Sequence, residues 1–212
     1  MQLSKTLILA GALTLIGNLQ AEQSAFFVGA MYEVGGSTFK ARILHDQTPS
    51  YADRSAITQG IGVHIGYNQL FGQKGYFGLR YYGFYNWGLT NFGKVVYNNA
   101  SYFGRNTFNL SGYGVGIDLL INLFNGERSN FGVFGGVAVG GNTWSAINGS
   151  NATQFQWMFN AGARLVVARH SAFELGVKIP MRVTHMYTPV MENTYLSLKR
   201  DWAFTAAYYF LF

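Results

Sequence analysis

The sequence closes on Leu198–Phe212, LKRDWAFTAAYYFLF, and this stretch decides the fold. From Trp202 onward the alternate residues are Trp202, Phe204, Ala206, Tyr208, Phe210 and Phe212, with Asp201, Ala203, Thr205, Ala207, Tyr209 and Leu211 between them. A repeat of two is the side-chain period of a β-strand. One face is wholly apolar, and the other is smaller or more polar until its last residues. At the edge of a water-soluble sheet such a strand would invite aggregation. Facing lipid, it is in its proper solvent.

Upstream, seven more segments repeat the pattern. Ala25–Gly35 sets Phe26, Val28, Ala30, Tyr32 and Val34 on one face. Ala56–Phe71 aligns Ile57, Ile61, Val63, Ile65 and Tyr67 against glycines, His64 and Asn68. Tyr76–Trp87 sets Phe77, Leu79, Tyr81, Tyr85 and Trp87 against Gly78, Arg80, Tyr82 and Asn86. Leu110–Phe124 and Gln154–Val167 alternate in the same way, and Phe131–Trp144 does so more weakly. In Ala172–Met186, Phe173, Leu175, Val177, Ile179, Met181 and Val183 oppose Glu174, Lys178 and Arg182. Segments of roughly 10–15 residues suit tilted strands that cross a bilayer and emerge.

The connections alternate in length. Gly72–Gly75, Asn125–Asn130 and Ala168–Ser171 are short, whereas Gly36–Ser55, Gly88–Asn109, Ser145–Thr153 and Tyr187–Ser197 are longer and rich in Asn, Ser, Thr and Gly. Short turns on one side and long loops on the other belong to outer-membrane barrels. Aromatics of the apolar phase gather at strand ends. Phe26, Phe77, Phe131, Phe173 and Phe212 mark one rim, and Trp87, Phe155, Trp157 and Trp202 the other. The expected fold is all-β: an eight-stranded antiparallel transmembrane β-barrel over residues 22–212, preceded by a cleaved signal peptide over residues 1–21. The leader rests on the apolar run Thr6–Gly17 behind Lys5 and on the small-residue site Leu19-Gln20-Ala21. With the last strand at the chain end, no appended periplasmic domain is expected.

Composition agrees. Only 11% of the residues are charged, 17% are aromatic, 27 are glycine and none is cysteine. Mean hydropathy is only +0.10, and the one long uncharged apolar run is too short for a membrane-spanning helix. Without Lys5 the remainder carries 14 basic and 9 acidic residues, net +5. These charges stand singly among aromatics, without a Lys/Arg cluster, so nucleic acid is not an expected partner.

The terminal strand resembles those of bacterial outer-membrane barrels. That resemblance implies that Phe204, Tyr208, Phe210 and Phe212 form the signal read by the barrel-assembly machinery. In wording, too, YFGLRYYGFYNWG (Tyr76–Gly88), GYGVGIDLLINLF (Gly112–Phe124), FGVFGGVAVGGNTW (Phe131–Trp144) and the final AYYFLF resemble the Helicobacter outer-membrane protein family. The resemblance implies an outer-membrane barrel; large members of that family include host-glycan and host-receptor adhesins, and others are described as porins. The adhesins carry a long exposed N-terminal domain that this chain lacks.

Four acids, Glu33, Asp118, Glu174 and Asp201, face four bases, Arg80, Arg164, Lys178 and Arg182, on the polar phase, with His64 beside them. An eight-stranded barrel is only wide enough for its own side chains, so these groups are expected to pair into a plug. A polar conduit lined by the same residues is the alternative. Outside, Lys40, Arg42, Arg54, Lys94 and Arg105 outnumber Asp46 and Asp53 on the two longest connections, and Tyr51, Tyr97, Tyr102 and Phe103 add aromatic surface.

Four histidines, His45, His64, His170 and His185, invite a search for catalysis. His185 stands on the lipid phase near the outer rim, but no serine shares its face within two residues and Thr184 points inward. No nucleophile, base and orienting group come together. Gly112-x-Gly114-x-Gly116 opens no helix and is no dinucleotide loop. No metal or cofactor is expected. The expected function is a non-enzymatic barrel whose surface loops meet the host or envelope. A narrow porin is the alternative, and a lipid-modifying enzyme the third reading. Expected partners are outer-membrane lipid and lipopolysaccharide, the barrel-assembly machinery, and host-surface glycans or proteins.

Overall fold

The computed structural model describes residues 23–212 apart from 46–47, 73–74, 94, 98–100, 104–106, 127, 147–150 and 188–193. The expected leader lies outside the described residues. The strands are β1 (Ala25–His45), β2 (Thr48–Phe71), β3 (Phe77–Asn91), β4 (Val95–Tyr97), β5 (Ser101–Phe103), β6 (Thr107–Asn125), β7 (Ser129–Ala146), β8 (Asn151–Val167), β9 (Ser171–Pro180), β10 (Thr184–Tyr187) and β11 (Thr194–Leu211). Neighbours pair antiparallel in the order β1-β2-β3-β6-β7-β8-β9-β11, and β1 pairs back onto β11. β9 and β10 both pair with β11 and make one interrupted stave. The result is a closed eight-stave barrel, with β4–β5 a separate hairpin. Closure gives the backbone groups partners within the sheet, as lipid demands.

Around the membrane belt the apolar phase points outward. Ile61, Val63, Ile65, Val115, Leu119, Leu175 and Phe204 are all exposed. The other phase is turned into a narrow lumen, where glycines make room for rings. A Cβ on Gly116 would meet the Tyr82 ring at 2.3 Å, and one on Gly162 would meet Phe134 at 2.7 Å. That close approach is why aromatic side chains on this phase stand beside glycines on the neighbouring staves.

Three features depart from the sequence reading. The stretch Gly36–Ser55 is not a loop but the continuation of β1 and β2, paired from Gly36↔Ile57 to His45↔Thr48. Here the pattern inverts: Phe39, Ala41 and Ala52 point in and are buried, while Lys40, Arg42 and Asp53 are exposed. Beyond the membrane the barrel exterior meets water, so the apolar face turns inward. Gly88–Asn109 likewise contains the end of β3, the β4–β5 hairpin and the start of β6.

The seventh stave breaks at Pro180. The β8–β9 ladder runs from Val167↔Ser171 to Met158↔Pro180 and stops. Proline has no N–H to continue a ladder. Beyond it Met181 N donates to Trp157 O at 3.0 Å, and Arg182 N donates to the Gln156 side-chain oxygen at 3.0 Å.

The third departure is a bulge in β11. Gly36 pairs with Trp202 but Ser37 pairs with Arg200, leaving Asp201 as the extra residue. One extra residue flips side-chain direction. Below the bulge Ala203, Tyr209 and Leu211 are buried in the barrel; above it Arg200, Leu198 and Leu196 are.

The lumen is therefore layered. Toward the outside lies an apolar cluster of Phe39, Phe92, Phe108, Leu110, Trp144, Leu196 and Leu198. A second apolar cluster, including Phe27, Val166, Ala172, Tyr209 and Leu211, lies toward the short-turn end. The charged residues are held between them.

Candidate functional site

Two charged groups occupy the middle layer. In the first, Arg80 and Asp118 face each other across β3 and β6, and Arg164 and Glu174 across β8 and β9. Arg80 Nε donates to Asp118 at 2.7 Å and its Nη1 donates to both Glu174 oxygens at 2.6 and 2.8 Å. Arg164 Nε stands 3.3 Å from Glu174. Asn160 donates to Asp118 at 2.5 Å and to the Tyr82 hydroxyl at 3.2 Å. The Arg80 guanidinium lies 4.6 Å from the centre of the Phe134 ring, so the face it turns from the carboxylates is covered by π-density.

The second group is Glu33 with Arg200, Nη1 to carboxylate at 2.6 Å, and Lys178. Lys178 Nζ sits 5.8 Å from the Phe84 ring centre and 3.2 Å from the Asn86 carbonyl oxygen, in the amide orientation that also satisfies the Asn86 nitrogen. His64 stacks on Tyr82, ring centres 5.2 Å apart, and its Nδ1 is 3.0 Å from the Tyr209 hydroxyl.

Glu33, His64, Arg80, Asp118, Arg164, Glu174 and Lys178 are thus all buried in the lumen. Two expected members are not. Arg182 is exposed in the break after Pro180, where it has no ladder to aim it inward. Asp201, the bulge residue, accepts from Thr38 at 2.6 Å and lies 3.6 Å from Lys199 on the outer wall. Arg200 takes the inward place instead. A strict repeat of two puts Arg200 outside, and only the rare acid–base run Lys199-Arg200-Asp201 hinted at an irregular register.

The lumen cavity lined by Glu33, Lys178 and Arg200 measures about 30 Å³, and one beside His64, Arg80 and Glu174 about 20 Å³. Each admits one or two water-sized particles. Neither is a passage.

The outer wall carries the second candidate surface. Register places His185, Ser197, Lys40 and Asp53 in one row across β10, β11, β1 and β2, and Arg42 directly opposite Tyr51. These residues line an open groove of about 740 Å³. Lys40 lies 3.5 Å from Asp53, and the Arg42 guanidinium is 6.0 Å from the Tyr51 ring centre. Arg54 pairs across from Phe39 and so falls outside this row. In the β4–β5 hairpin Tyr97 pairs with Ser101 and Tyr102 with Val96; Lys94 and Arg105 lie outside the described residues.

The sequence reading found no serine for His185, yet Ser197 Oγ is 3.2 Å from its Nδ1. The two meet across strands, a neighbourhood that spacing along the chain does not reveal. Asp53 stands beyond Lys40 in the row, too far to orient the imidazole. Among the described residues no three His, Cys, Asp or Glu side chains gather to hold a metal.

The barrel is similar to solved outer-membrane structures. The outer membrane protein OprG of Pseudomonas aeruginosa superposes with a TM-score of 0.54 at 12% identity, covering 91% of this chain and 97% of that one. The outer membrane protease OmpT of Escherichia coli gives 0.43 at 8% identity, covering 88% and 97%. The attachment invasion locus protein Ail of Yersinia pestis gives 0.30 at 12% identity, covering 86% and 98%. At 12% identity the likeness to OprG is one of fold. No curated protein sequence matches the chain. The model of the Helicobacter outer membrane protein family matches residues 62–212, from the middle of β2 to the terminal phenylalanine, and the chain belongs to that family of outer-membrane β-barrels.

Proposed function

We propose that this protein is a non-enzymatic surface barrel whose exposed outer wall binds acidic or sugar-bearing partners of the host surface or of the envelope. The observation that carries this reading is the groove over β10, β11, β1 and β2, where Lys40, Arg42 and Tyr51 stand exposed beside Ser197 and His185. Cations, hydroxyls and an open aromatic face together suit anionic sugars: the cations take carboxylate, sulfate or phosphate, and the ring takes an apolar sugar face. The wall rises on long strands stiffened by the apolar cluster beneath them, so it is held ready rather than ordered on contact.

The lumen supports a plug rather than a conduit, because each of its carboxylates is ion-paired and apolar side chains fill it on both sides. The experiment is a triple variant, Lys40→Ala/Arg42→Ala/Tyr51→Ala, in the full chain. With the barrel still heat-modifiable, binding to host cells and to purified acidic glycans is expected to fall at least about tenfold, the loss of roughly 1.4 kcal/mol of contact. Unchanged binding refutes the wall as the recognition surface. Release of fatty acid from outer-leaflet lipid that disappears in Ser197→Ala would instead make the protein an enzyme.

A further inference from the structure

We infer that the lumen holds a small monovalent anion, of the halide class, between Lys178 and Arg200. The two buried charge groups differ in balance. Arg80 and Arg164 face Asp118 and Glu174, two cations against two carboxylates. Lys178 and Arg200 share Glu33 alone, two cations against one. The nearest candidate for a second acid, Asp201, is carried to the outer wall by the bulge. A buried charge without a counter-charge is among the costliest features a fold can contain.

The surroundings suit an anion. Lys178, Arg200, Asn86 and Gln156 line the same cavity of about 30 Å³. Arg200 has spent one nitrogen on Glu33; among the described residues its Nε and second Nη have no acceptor, and neither has the Gln156 amide nitrogen. The free acceptors in the lining are the second Glu33 oxygen and the Asn142 carbonyl. Those two suit a water beside the ion, whereas the extra positive charge calls for the ion itself. The volume admits a single halide with at most one water and excludes sulfate or phosphate in company. Met158, Leu110, Pro180 and Ala203, with Gly112 and Gly141, complete the lining, so its other sides offer no polar side chain.

Apolar layers close the lumen at both ends, so the ion enters as the barrel folds. The experiment is to refold the full chain in detergent at constant ionic strength, exchanging gluconate for chloride or bromide. The midpoint of thermal unfolding is expected to rise by about 3 °C for each tenfold of halide above its dissociation constant. Lys178→Met is expected to lose that dependence, and Lys199→Gln, on the exposed wall, to retain it. Crystals grown from bromide should show an anomalous peak within the cavity between Lys178 and Arg200. Equal midpoints in gluconate and halide, or density scattering only as water, overturn the inference. Should Lys178→Met fail to assemble, the bromide peak in the unaltered protein decides alone.

Discussion

Arg200 reaches Glu33 at 2.6 Å because the residue after it, Asp201, is left without a partner on β1. Without that bulge Arg200 would face outward at the outer rim and Glu33 would lose its ion-pair partner, leaving Lys178 as the one cation lining its cavity. A one-residue irregularity in the last strand thus sets the charge balance of the whole lumen.

Removing Glu33 leaves Arg200 and Lys178 without a carboxylate, whereas removing Arg200 leaves Glu33 with Lys178. Glu33→Ala is expected to lower stability by about 3–5 kcal/mol and Arg200→Ala by less, while Glu33→Leu/Arg200→Met together should cost less than the sum of the two. A double-mutant cycle in urea, followed by tryptophan fluorescence in detergent, measures the coupling. Additive single effects would mean that the two side chains do not act as a pair.

Deleting Asp201 tests the bulge itself. Gly36↔Trp202 and Ser37↔Arg200 then become consecutive pairs, so Leu196, Leu198 and Arg200 stay inward and the ladder runs unbroken. Heat-modifiable protein in the outer membrane is expected to stay near the level of the unaltered chain. A sharp fall would show that the bulge itself, with the Asp201 contact to Thr38, is needed for assembly.

The inversion of polarity along the staves predicts opposite sensitivities at two heights. In the membrane belt, Val115→Arg on the outward face should cost roughly 2–4 kcal/mol. In the outer section the outward face meets water, so Ser55→Arg should change stability by less than about 0.5 kcal/mol. There the inward Phe39→Ala is the costly change, roughly 3–5 kcal/mol, because Phe92 and Phe108 pack on that ring. Equal penalties for Val115→Arg and Ser55→Arg would place the membrane boundary further out than the inversion indicates.

The same inversion explains what was legible in the sequence. Within the membrane the rule of apolar residues facing outward holds, so the staves, their phases and seven of the lumen residues, Glu33 and His64 among them, could be read from spacing alone. Above it Phe39, Ala41 and Ala52 face in and Lys40, Arg42 and Asp53 face out. Read with the membrane rule, that stretch has no apolar face and passes for a loop. Arg182 and Asp201 were misplaced for another reason. Both lie at breaks in the ladder, one after Pro180 and one in the bulge, and a period of two counts straight through such breaks. The Ser197–His185 contact depends on register between strands, which no single strand records.

The terminal strand offers a way to separate folding strength from recognition during assembly. Phe212 N donates to Phe26 O at 2.9 Å, and its ring packs edge-on against Phe210. Next to it His170, in the Ala168–His170 turn, clasps the strand: its carbonyl accepts from Leu211 N and its Nδ1 lies 2.8 Å from Leu211 O. The imidazole also stacks on Phe210, centres 5.8 Å apart. If the closing residues serve only to hold the barrel shut, His170→Ala and deletion of Phe212 should act alike, each losing contacts worth on the order of 1 kcal/mol. If the assembly machinery reads the aromatic end, the two part company. Deleting Phe212 is then expected to cut the amount of folded protein in the outer membrane several-fold, while barrels refolded in detergent melt within a few degrees of the unaltered chain. His170→Ala should show the reverse, near-normal assembly in cells and a lowered melting temperature in detergent. Both measurements are needed, heat-modifiability from outer membranes and thermal unfolding of refolded protein. Parallel losses in the two assays for both variants would remove the recognition role from Phe212 and leave it a structural contact.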